Sequence, residues 1–375
     1  MQCDYFDAGQ CRSCALMGVP YDVQLADKQR SVARTLAGRV GDVWLDPYAT
    51  VESGFRNKAK LVVGGRRGAP TLGILDEQRA GVDLRHCGLH ESGLREAIPV
   101  LADLVAEAGL TPYDVPRRSG ELKHVLVTHS PHDELMVRFV LRSEGQLPRL
   151  QRALPDLLAA LPRARVVTAN LLPEHKAATE GDREVVLTEH GSLPMRVNDV
   201  VLHLRPRSFF QTSTPVAAAL YRQAAQWAAE IEPRSVVDLY CGVGGFALHL
   251  AGQGRTVHGL EISVDAVESA RLSAVELAQR RDVGDVTFGA GDASAYTMAS
   301  RPDLAVVNPP RRGIGALAAT LERSGVAEVV YSSCNASSLA ADLEAMPSYD
   351  VVAARLFDMF PQTRHHEVMV RLRRR

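Results

Sequence analysis

The feature that most constrains the fold is an apolar strand that runs into a glycine-rich turn and then into a helix. The strand begins at Ser235, the turn holds Gly242, Gly244 and Gly245, and the helical stretch begins at Ala247. Glycines at such a turn let the backbone approach a ligand closely at a helix N-terminus. The pattern therefore predicts an open α/β sheet with a ligand at the carboxyl end of this strand.

The next two strands bring carboxylates to the same edge of the predicted sheet. Residues 256–260 end in Glu261, which is placed to accept hydrogen bonds from both hydroxyls of a ribose. Residues 285–288 lead to Asp292, whose carboxylate can accept from an adenine amino group. The whole pattern resembles the S-adenosylmethionine loop of Rossmann-type methyltransferases. We therefore predict that this cofactor binds here, with another nucleotide as the alternative.

A fourth strand ends in Asn308-Pro-Pro-Arg311-Arg312, and this motif helps to decide which type of atom is methylated. Asn-Pro-Pro at a strand end resembles a motif of amino-group methyltransferases, in which an aromatic residue usually follows and stacks on the target base. Arg311 stands in that position here. The sequence therefore favours methylation of a carbon atom over methylation of an amino nitrogen.

Cys334 follows a strand-like run, residues 327–333, and is a candidate nucleophile. Carbon 5 of a pyrimidine is a weak nucleophile until a group adds to carbon 6, and a thiolate can add there. We expect Arg311 or Arg312 to lower the pKa of the thiol. The alternative is that Cys334 is a small buried apolar residue, which is the commonest situation of a free cysteine.

Four cysteines form a candidate metal site, with Cys3, Cys11 and Cys14 close together and Cys87 far along the chain. Disulfides are disfavoured in a reducing compartment. Three clustered thiolates and one remote thiolate favour an iron–sulfur cluster, while zinc and the absence of a metal remain alternatives. We interpret Cys241, next to the glycine turn, as a packing residue.

The charge balance gives no global sign of nucleic-acid binding, since the formal net charge is −1. Any nucleic-acid binding must then depend on local basic groups. Arg56, Lys58 and Lys60 alternate ahead of an apolar run, which predicts a solvent-facing edge for phosphates, with Phe55 available to stack on a base. An ordinary charged edge strand is the alternative.

We predict a cytoplasmic protein of three domains. No apolar run is long enough to span a bilayer, and the first residues lack a signal-peptide pattern. Residues 1–90 form the cysteine and basic region, residues 91–206 a central α/β domain, and residues 207–375 the cofactor-binding domain. At the start of the last domain we expect Phe209 and Phe210 to be buried, with a ligand wall as the alternative.

Taken in order, the motifs resemble those of the RNA uridine-5-methyltransferases, and most closely the branch that modifies a hairpin-loop uridine of 23S ribosomal RNA. The resemblance extends over the whole chain. It rests on the four cysteines and on Phe55-Arg-Asn-Lys58, Ser208-Phe-Phe-Gln211, the glycine loop, Asn308-Pro-Pro-Arg-Arg-Gly313, Ser332-Ser-Cys-Asn335 and His366-Glu367.

The resemblance implies an α/β fold with a C-terminal Rossmann-like methyltransferase domain, preceded by an iron–sulfur and α/β RNA-binding region. It implies a [4Fe-4S] cluster, S-adenosylmethionine as methyl donor and 23S ribosomal RNA as partner, with U747 as the expected target. No membrane and no obligate protein partner is expected. The implied residues are cluster ligands Cys3, Cys11, Cys14 and Cys87, cofactor contacts Gln211, Tyr240, Glu261 and Asn308, nucleophile Cys334 and base Glu367. Gly242 of the glycine turn and Asp292 complete the predicted cofactor site.

The sequence leaves alternatives for the catalytic base and for the substrate. His365 and His366 are rival bases because an ordinary histidine titrates near neutral pH. Much of the family has aspartate where this chain has Asn308, a substitution that resembles the 23S branch. Alternative substrates are a different ribosomal uridine and a transfer-RNA uridine. Alternative functions are amino-group methylation and non-enzymatic RNA binding by an iron–sulfur protein.

Overall fold

A computed structural model describes residues 1–298 and 301–375. The chain forms two compact units, one made of Met1–Met17 and Glu52–Met195 and the other of Gly18–Val51 and Arg196–Arg375. These limits differ from those of the three predicted domains, and the division into three stays a prediction. None of the described helices combines the length and the apolar character that crossing a membrane requires.

Helices and strands are interspersed along the chain, with several runs of consecutive strands. The described helices are Asp4–Asp7 (α1), Tyr21–Leu36 (α2), Ser92–Glu107 (α3), Leu147–Ala160 (α4), Thr214–Ile231 (α5), Gly245–Leu250 (α6), Val264–Arg280 (α7), Ala316–Ser324 (α8) and Ala336–Glu344 (α9). Short 3₁₀ turns lie at Glu144–Gln146 and Ala293–Ala295. The described strands are Lys58–Arg66 (β1), Ala69–Leu75 (β2), Gly81–Asp83 (β3), Leu122–His129 (β4), Leu135–Leu141 (β5), Ala164–Leu171 (β6), Arg183–Val186 (β7), Leu193–Val197 (β8), Val200–Leu204 (β9), Ser235–Leu239 (β10), Thr256–Glu261 (β11), Asp285–Ala290 (β12), Leu304–Val307 (β13), Glu328–Ser333 (β14), Tyr349–Phe357 (β15) and Glu367–Arg374 (β16).

The first unit is built on a seven-stranded sheet in the order β3-β2-β1-β4-β5-β6-β7. Its strand pairs are antiparallel except β5 and β6, which are parallel and are connected through α4. Helix α3 covers the sheet with an apolar stripe in which Leu94, Ile98, Leu101 and Val105 are fully buried. That spacing follows the helical period, so one face of the helix packs on the sheet.

The second unit contains a seven-stranded sheet in the order β12-β11-β10-β13-β14-β16-β15. Strands β10 to β14 pair in parallel, whereas β16 is antiparallel to both β14 and β15. The central strands β10 and β13 are almost wholly buried, as expected where helices cover both faces of a parallel sheet. Because the strand order reverses between β10 and β13, the loops after these strands diverge and leave a crevice at the carboxyl edge.

Helix α2 belongs to the second unit, although it comes early in the chain. Its Lys28 lies buried and donates to the carboxylate of Asp358 at 2.6 Å and to the backbone oxygen of Phe360 at 3.0 Å. Gln24 hydrogen-bonds the side chain of Gln362 at 3.0 Å. These contacts fix the loop between β15 and β16, which carries Phe360 into the crevice.

Candidate active site

A cavity of about 600 Å³ lies in the second unit at the carboxyl ends of β10, β11, β13 and β14. Its wall contains all the cofactor and catalytic residues that the sequence analysis singled out in this part of the chain. They are Gln211, Tyr240, Gly242, Glu261, Asp292, Asn308, Cys334 and Glu367. The structure therefore brings these residues together, while their individual roles stay predictions.

The glycine turn has the backbone that its sequence predicts. Gly242 and Gly244 adopt φ values of 54° and 83°, in the left-handed region that glycine enters without a steric penalty. Tyr240 also has a positive φ, 62°, which is uncommon for a residue with a side chain. A Cβ atom on Gly245 would collide with the hydroxyl group of Tyr221, so this position needs glycine for close packing. The turn thus places Gly242, Val243 and Gly245 in the wall of the cavity.

Two carboxylates support the turn. Glu261 accepts hydrogen bonds from the backbone N–H of Gly242 at 3.1 Å and of Ser263 at 3.0 Å. Asp238 is fully buried and accepts from the N–H of Ala247 at 2.9 Å. Burial raises the pKa of Asp238 to about 8. Asp238 has a structural role in the turn that the sequence analysis did not single out.

Asp292 lies at the exposed end of the site. Its carboxylate accepts from the backbone N–H of Ser294 at 2.9 Å and from the hydroxyl group at 2.7 Å. These hydrogen bonds lower the pKa of Asp292, so the group is a stable acceptor at neutral pH.

An apolar wall completes the cavity, and most of it was not anticipated. Phe210 is buried as expected, but Phe209 is 67% exposed and lines the cavity, so the expectation that both are buried is wrong for Phe209. Ile262 is 73% exposed beside Glu261, and Phe360 lies on the same wall. Apolar side chains left open to solvent around a cavity are typical of a ligand site. A single apolar residue after an acidic strand end carries no distinctive sequence signal, which is why Ile262 was missed.

Cys334 stands at the end of β14 and is half-buried. Burial raises the pKa of the thiol, and Glu367 raises it further, while Arg311 acts in the opposite direction through its charge and a hydrogen bond. Arg311 therefore lowers the pKa of Cys334, as expected. The expected net decrease is wrong, because burial and Glu367 raise the pKa by more. The backbone oxygen of Arg311 accepts a hydrogen bond from Asn335 at 2.9 Å, which ties the arginine loop to the residue after the thiol.

Glu367, at the start of β16, is 4% exposed and lines the same cavity as Cys334. Its Oε2 atom has no hydrogen-bond partner among the described residues. Burial raises the pKa of the carboxyl group to about 8. Of the described residues, the cavity wall includes Glu367 but neither His365 nor His366. Burial also lowers the pKa of His366. Nδ1 of His365 lies 3.1 Å from Nη2 of Arg311.

The four candidate ligand cysteines lie together in the first unit. Cys14 and Cys87 pack in an apolar cluster with Phe55 and Leu89. Burial, followed by the charges of Cys87, Cys11 and Cys3, raises the pKa of Cys14 to about 11. The charges of the other three thiols thus all act on that of Cys14. Within the part of the chain that the structure describes, no group of His, Cys, Asp or Glu side chains is arranged to hold a metal ion.

The predicted RNA-contacting edge near these cysteines is wrong in three respects. Phe55 is only 1% exposed and packs inside the cysteine cluster, so it is not available to stack on a base. Arg56 and Lys58 are half-buried, and burial lowers the pKa of Lys58 to about 8, whereas Lys60 is exposed. Strand β1 also pairs on both sides, with β2 and with β4, so it is not an edge strand.

The sheet order, the glycine turn after its central strand and the acidic ends of the next strands define a Rossmann-like, S-adenosylmethionine-dependent methyltransferase. Residues 181–375 match the family model described as tRNA (uracil-5-)-methyltransferase. The chain is 47% identical to the 23S rRNA (uracil(747)-C(5))-methyltransferase RlmC of Yersinia pseudotuberculosis serotype I and 46% identical to that of Yersinia pestis, over 99% of each chain. The chain belongs to the tRNA (uracil-5-)-methyltransferase family, which confirms the resemblance predicted from its motifs.

A solved structure supports the same assignment. The tRNA (uracil-54, C5)-methyltransferase of Pyrococcus abyssi, crystallised with S-adenosyl-L-homocysteine, superimposes with a TM-score of 0.81 and 26% identity. The match covers 96% of this chain and 85% of that one. The predicted α/β, Rossmann-like fold class is thereby confirmed.

Proposed function

We propose that this protein methylates carbon 5 of uridine 747 in 23S ribosomal RNA, with S-adenosylmethionine as methyl donor. The proposed substrate follows the relatives at 46–47% identity, whose names specify that uracil. The observation that carries the proposed chemistry is the pairing, in one cavity, of a half-buried thiol with a buried carboxyl group that has an oxygen without a partner in the described structure.

Cys334 is the proposed nucleophile. Its thiolate adds to carbon 6 of the uracil, and carbon 5 then becomes electron-rich enough to accept a methyl group. The target base must leave its stack, because neighbouring bases cover the ring face that the thiolate attacks. Arg311 favours the thiolate by its positive charge, and burial opposes it. We therefore expect the thiol to ionise mainly when Arg311 and the bound uracil are both in place.

S-adenosylmethionine, when bound, supplies a methyl group on a positively charged sulfur. We assign its contacts to Gln211, Tyr240, Gly242, Glu261, Asp292 and Asn308. Glu261 already points its carboxylate at the turn, and Ile262 beside it offers an exposed apolar surface for a planar ring. Asn308 lies at the end of β13, between the turn and the thiol in strand order.

Glu367 is the proposed base. After methyl transfer, carbon 5 still carries its proton, and the bond between Cys334 and carbon 6 breaks only when that proton is removed. A carboxyl group with a pKa of about 8 is mostly protonated at neutral pH, and its ionised fraction accepts a proton readily. The free Oε2 atom is an acceptor site that no described residue of the chain occupies.

We also propose that Cys3, Cys11, Cys14 and Cys87 hold a [4Fe-4S] cluster. Four cysteines supply the right chemistry, because each ligand of such a cluster is a thiolate that binds a different iron atom. Cys14 and Cys87 pack in the apolar cluster, and in the described structure the four side chains are not arranged at metal-binding positions, so the proposal requires them to draw together around the cluster. Zinc is the competing assignment, since it needs all four sulfurs around a single ion. Iron and acid-labile sulfide analysis of protein purified without oxygen distinguishes them. Roughly four irons per chain support the cluster, whereas stoichiometric zinc contradicts it.

The test of the reaction is methylation of defined transcripts. The protein is incubated with labelled S-adenosylmethionine and a 23S transcript that contains the uridine 747 hairpin, the same transcript with cytidine at that position, or a transfer-RNA transcript. Nucleosides are then mapped by mass spectrometry. One 5-methyluridine at position 747, lost in Cys334→Ala, supports the proposal. Methylation of transfer RNA alone would favour the substrate type named for the Pyrococcus abyssi protein, and an N-methylated base would contradict carbon methylation.

A substrate in ribosomal RNA also supports the predicted cytoplasmic location. Ribosomes are assembled in that compartment in cells that contain 23S ribosomal RNA. The same location favours reduced thiols at the cysteine site. Cell fractionation with an antibody against the protein tests this assignment.

A further inference from the structure

The first unit contains a second cavity that no part of the proposed mechanism uses. Its volume is about 760 Å³, within the range of small-molecule sites. The wall is rich in cations and rings, and none of its described lining residues is acidic. The residues that matter here are Arg79, Arg118, Lys123, Lys176, Tyr113 and His175.

A buried cation lies in this wall. Lys123 is 5% exposed, and its ammonium group donates to the backbone oxygens of Leu172 and Glu174, both at 2.7 Å. The same ammonium group lies 4.7 Å from the centre of the Tyr113 ring. Among the described residues, no carboxylate forms an ion pair with Lys123. Its hydrogen bonds are made to backbone oxygens, and the charges of Glu174 and Glu121 are opposed by those of Arg142 and Lys176. The ammonium group can therefore still attract an anion into the cavity.

The rim of the cavity adds exposed cations to this buried one. Arg79, Arg118 and Lys176 are exposed. Lys176 faces Glu174 at 3.6 Å, but both side chains are more than half exposed, and such surface pairs exchange readily with other partners. Long cationic side chains at an open rim suit phosphate groups, which they contact from the solvent side.

An aromatic pair forms the remaining wall. The Tyr113 hydroxyl group lies 3.0 Å from Nδ1 of His175, and the two ring centres are 6.1 Å apart. Tyr113 is buried, whereas His175 is exposed and its ring is held by that contact. An exposed ring held beside a basic rim is the arrangement on which unstacked bases pack.

We infer that this cavity binds an unstacked nucleotide of the substrate RNA, with its phosphate on the basic rim and its base against His175. The inference rests on the proposed RNA substrate and deepens it, because it assigns part of RNA recognition to the first unit. It also replaces the predicted RNA-contacting edge, in which Phe55 is buried and Arg56 and Lys58 are half-buried. The nucleotide belongs to the hairpin region but is not the methylated uridine, which enters the active-site cavity.

The test compares two double variants of equal charge change. Arg118→Ala with Lys176→Ala removes two rim cations, and Arg95→Ala with Arg152→Ala removes two exposed cations of α3 and α4 that do not line the cavity. Binding of the 23S hairpin transcript is measured by fluorescence anisotropy over a range of salt concentrations. Loss of two phosphate contacts lowers the slope of log affinity against log salt by about 1.4 and weakens binding about 10-fold at 0.15 M salt. The control variant retains the slope of the unmodified protein.

A second pair of variants tests the ring. His175→Ala weakens RNA binding about fivefold or more, because stacking of one base contributes at least about 1 kcal/mol. His175→Phe keeps a ring face and restores binding. Affinity for S-adenosylmethionine and kcat at saturating RNA stay unchanged in all these variants. The loss of activity therefore appears as a higher KM for the RNA transcript.

The two possible failures are distinguishable. If the unmodified protein methylates the transcript and the rim and ring variants keep its KM and salt slope, the inference about this cavity is wrong while the proposed function stands. If the unmodified protein neither binds nor methylates the transcript, the proposed function is wrong and this inference is wrong with it.

Discussion

Replacing Glu367 with glutamine should stabilise the protein, because the native carboxyl group is buried and carries a charge at high pH. Burial raises its pKa from 4.5 to about 8. Between these values the folded state binds more protons than the unfolded chain, so the free energy of unfolding falls as pH rises. Each pKa unit corresponds to about 1.4 kcal/mol, and the interval from the reference pKa to pH 7 therefore removes about 3 kcal/mol. Glutamine does not titrate, so the variant avoids this loss.

Urea unfolding followed by tryptophan fluorescence measures the effect in the relevant part of the molecule. The chain has two tryptophans, Trp44 and Trp227, and both lie in the second unit together with Glu367. Glu367→Gln should raise the free energy of unfolding by about 3 kcal/mol at pH 7 and by less than about 1 kcal/mol at pH 5.

The matched control is Glu344→Gln, an exposed glutamate at the end of α9, for which we expect a change within about 0.5 kcal/mol. A variant of Glu367 that is no more stable than the native protein at pH 7, or that is equally stabilised at both pH values, would refute the reasoning from burial. A gain in stability with a loss of turnover would mark Glu367 as a residue retained for function.

Three further predictions concern other parts of the protein. Arg311 favours the ionised forms of Cys334 and Glu367. Arg311→Ala should therefore move the rising limb of the pH–activity profile to higher pH, and an unchanged profile would exclude this electrostatic role. Ile262→Ala should weaken S-adenosylmethionine binding about fivefold in calorimetry, from about 1 kcal/mol of lost apolar contact, while leaving the thermal unfolding temperature unchanged; equal affinity would remove Ile262 from the cofactor site. Cys14→Ser should reduce iron and sulfide content without changing S-adenosylmethionine affinity, and full cluster occupancy in this variant would contradict the ligand assignment.

The active-site cavity was largely predictable because its residues lie just after strands of one parallel sheet. Gly242, Glu261, Asn308 and Cys334 are far apart in sequence, yet the carboxyl ends of parallel strands meet at one edge. Local sequence patterns identify these strands and their final residues. The convergence of the site therefore follows from the fold class.

The environment of single side chains was less predictable because it depends on packing between distant segments. Phe55 and Lys58 were expected at the surface from their local alternation, but Cys14 and Leu89 cover Phe55. Phe209 was expected inside and lines the cavity instead. The net pKa shift of Cys334 had the wrong predicted sign, because a sequence shows which charges are near a thiol in the chain but not how deeply the thiol is buried.

The central claim is that Cys334 and Glu367 act in sequence on one uracil, and trapping the intermediate between their steps tests it most directly. Glu367→Gln is mixed with the 23S hairpin transcript and S-adenosylmethionine, and the products are analysed by denaturing gel and by mass spectrometry of nuclease-trimmed protein. Without the base, methyl transfer should proceed while release slows about 10²- to 10⁴-fold. A protein–RNA adduct that carries one added methyl group, maps to Cys334 and is absent when Cys334→Ala is added to the variant is the predicted result. Release of methylated RNA at the native rate, without any adduct at Cys334, would contradict the account.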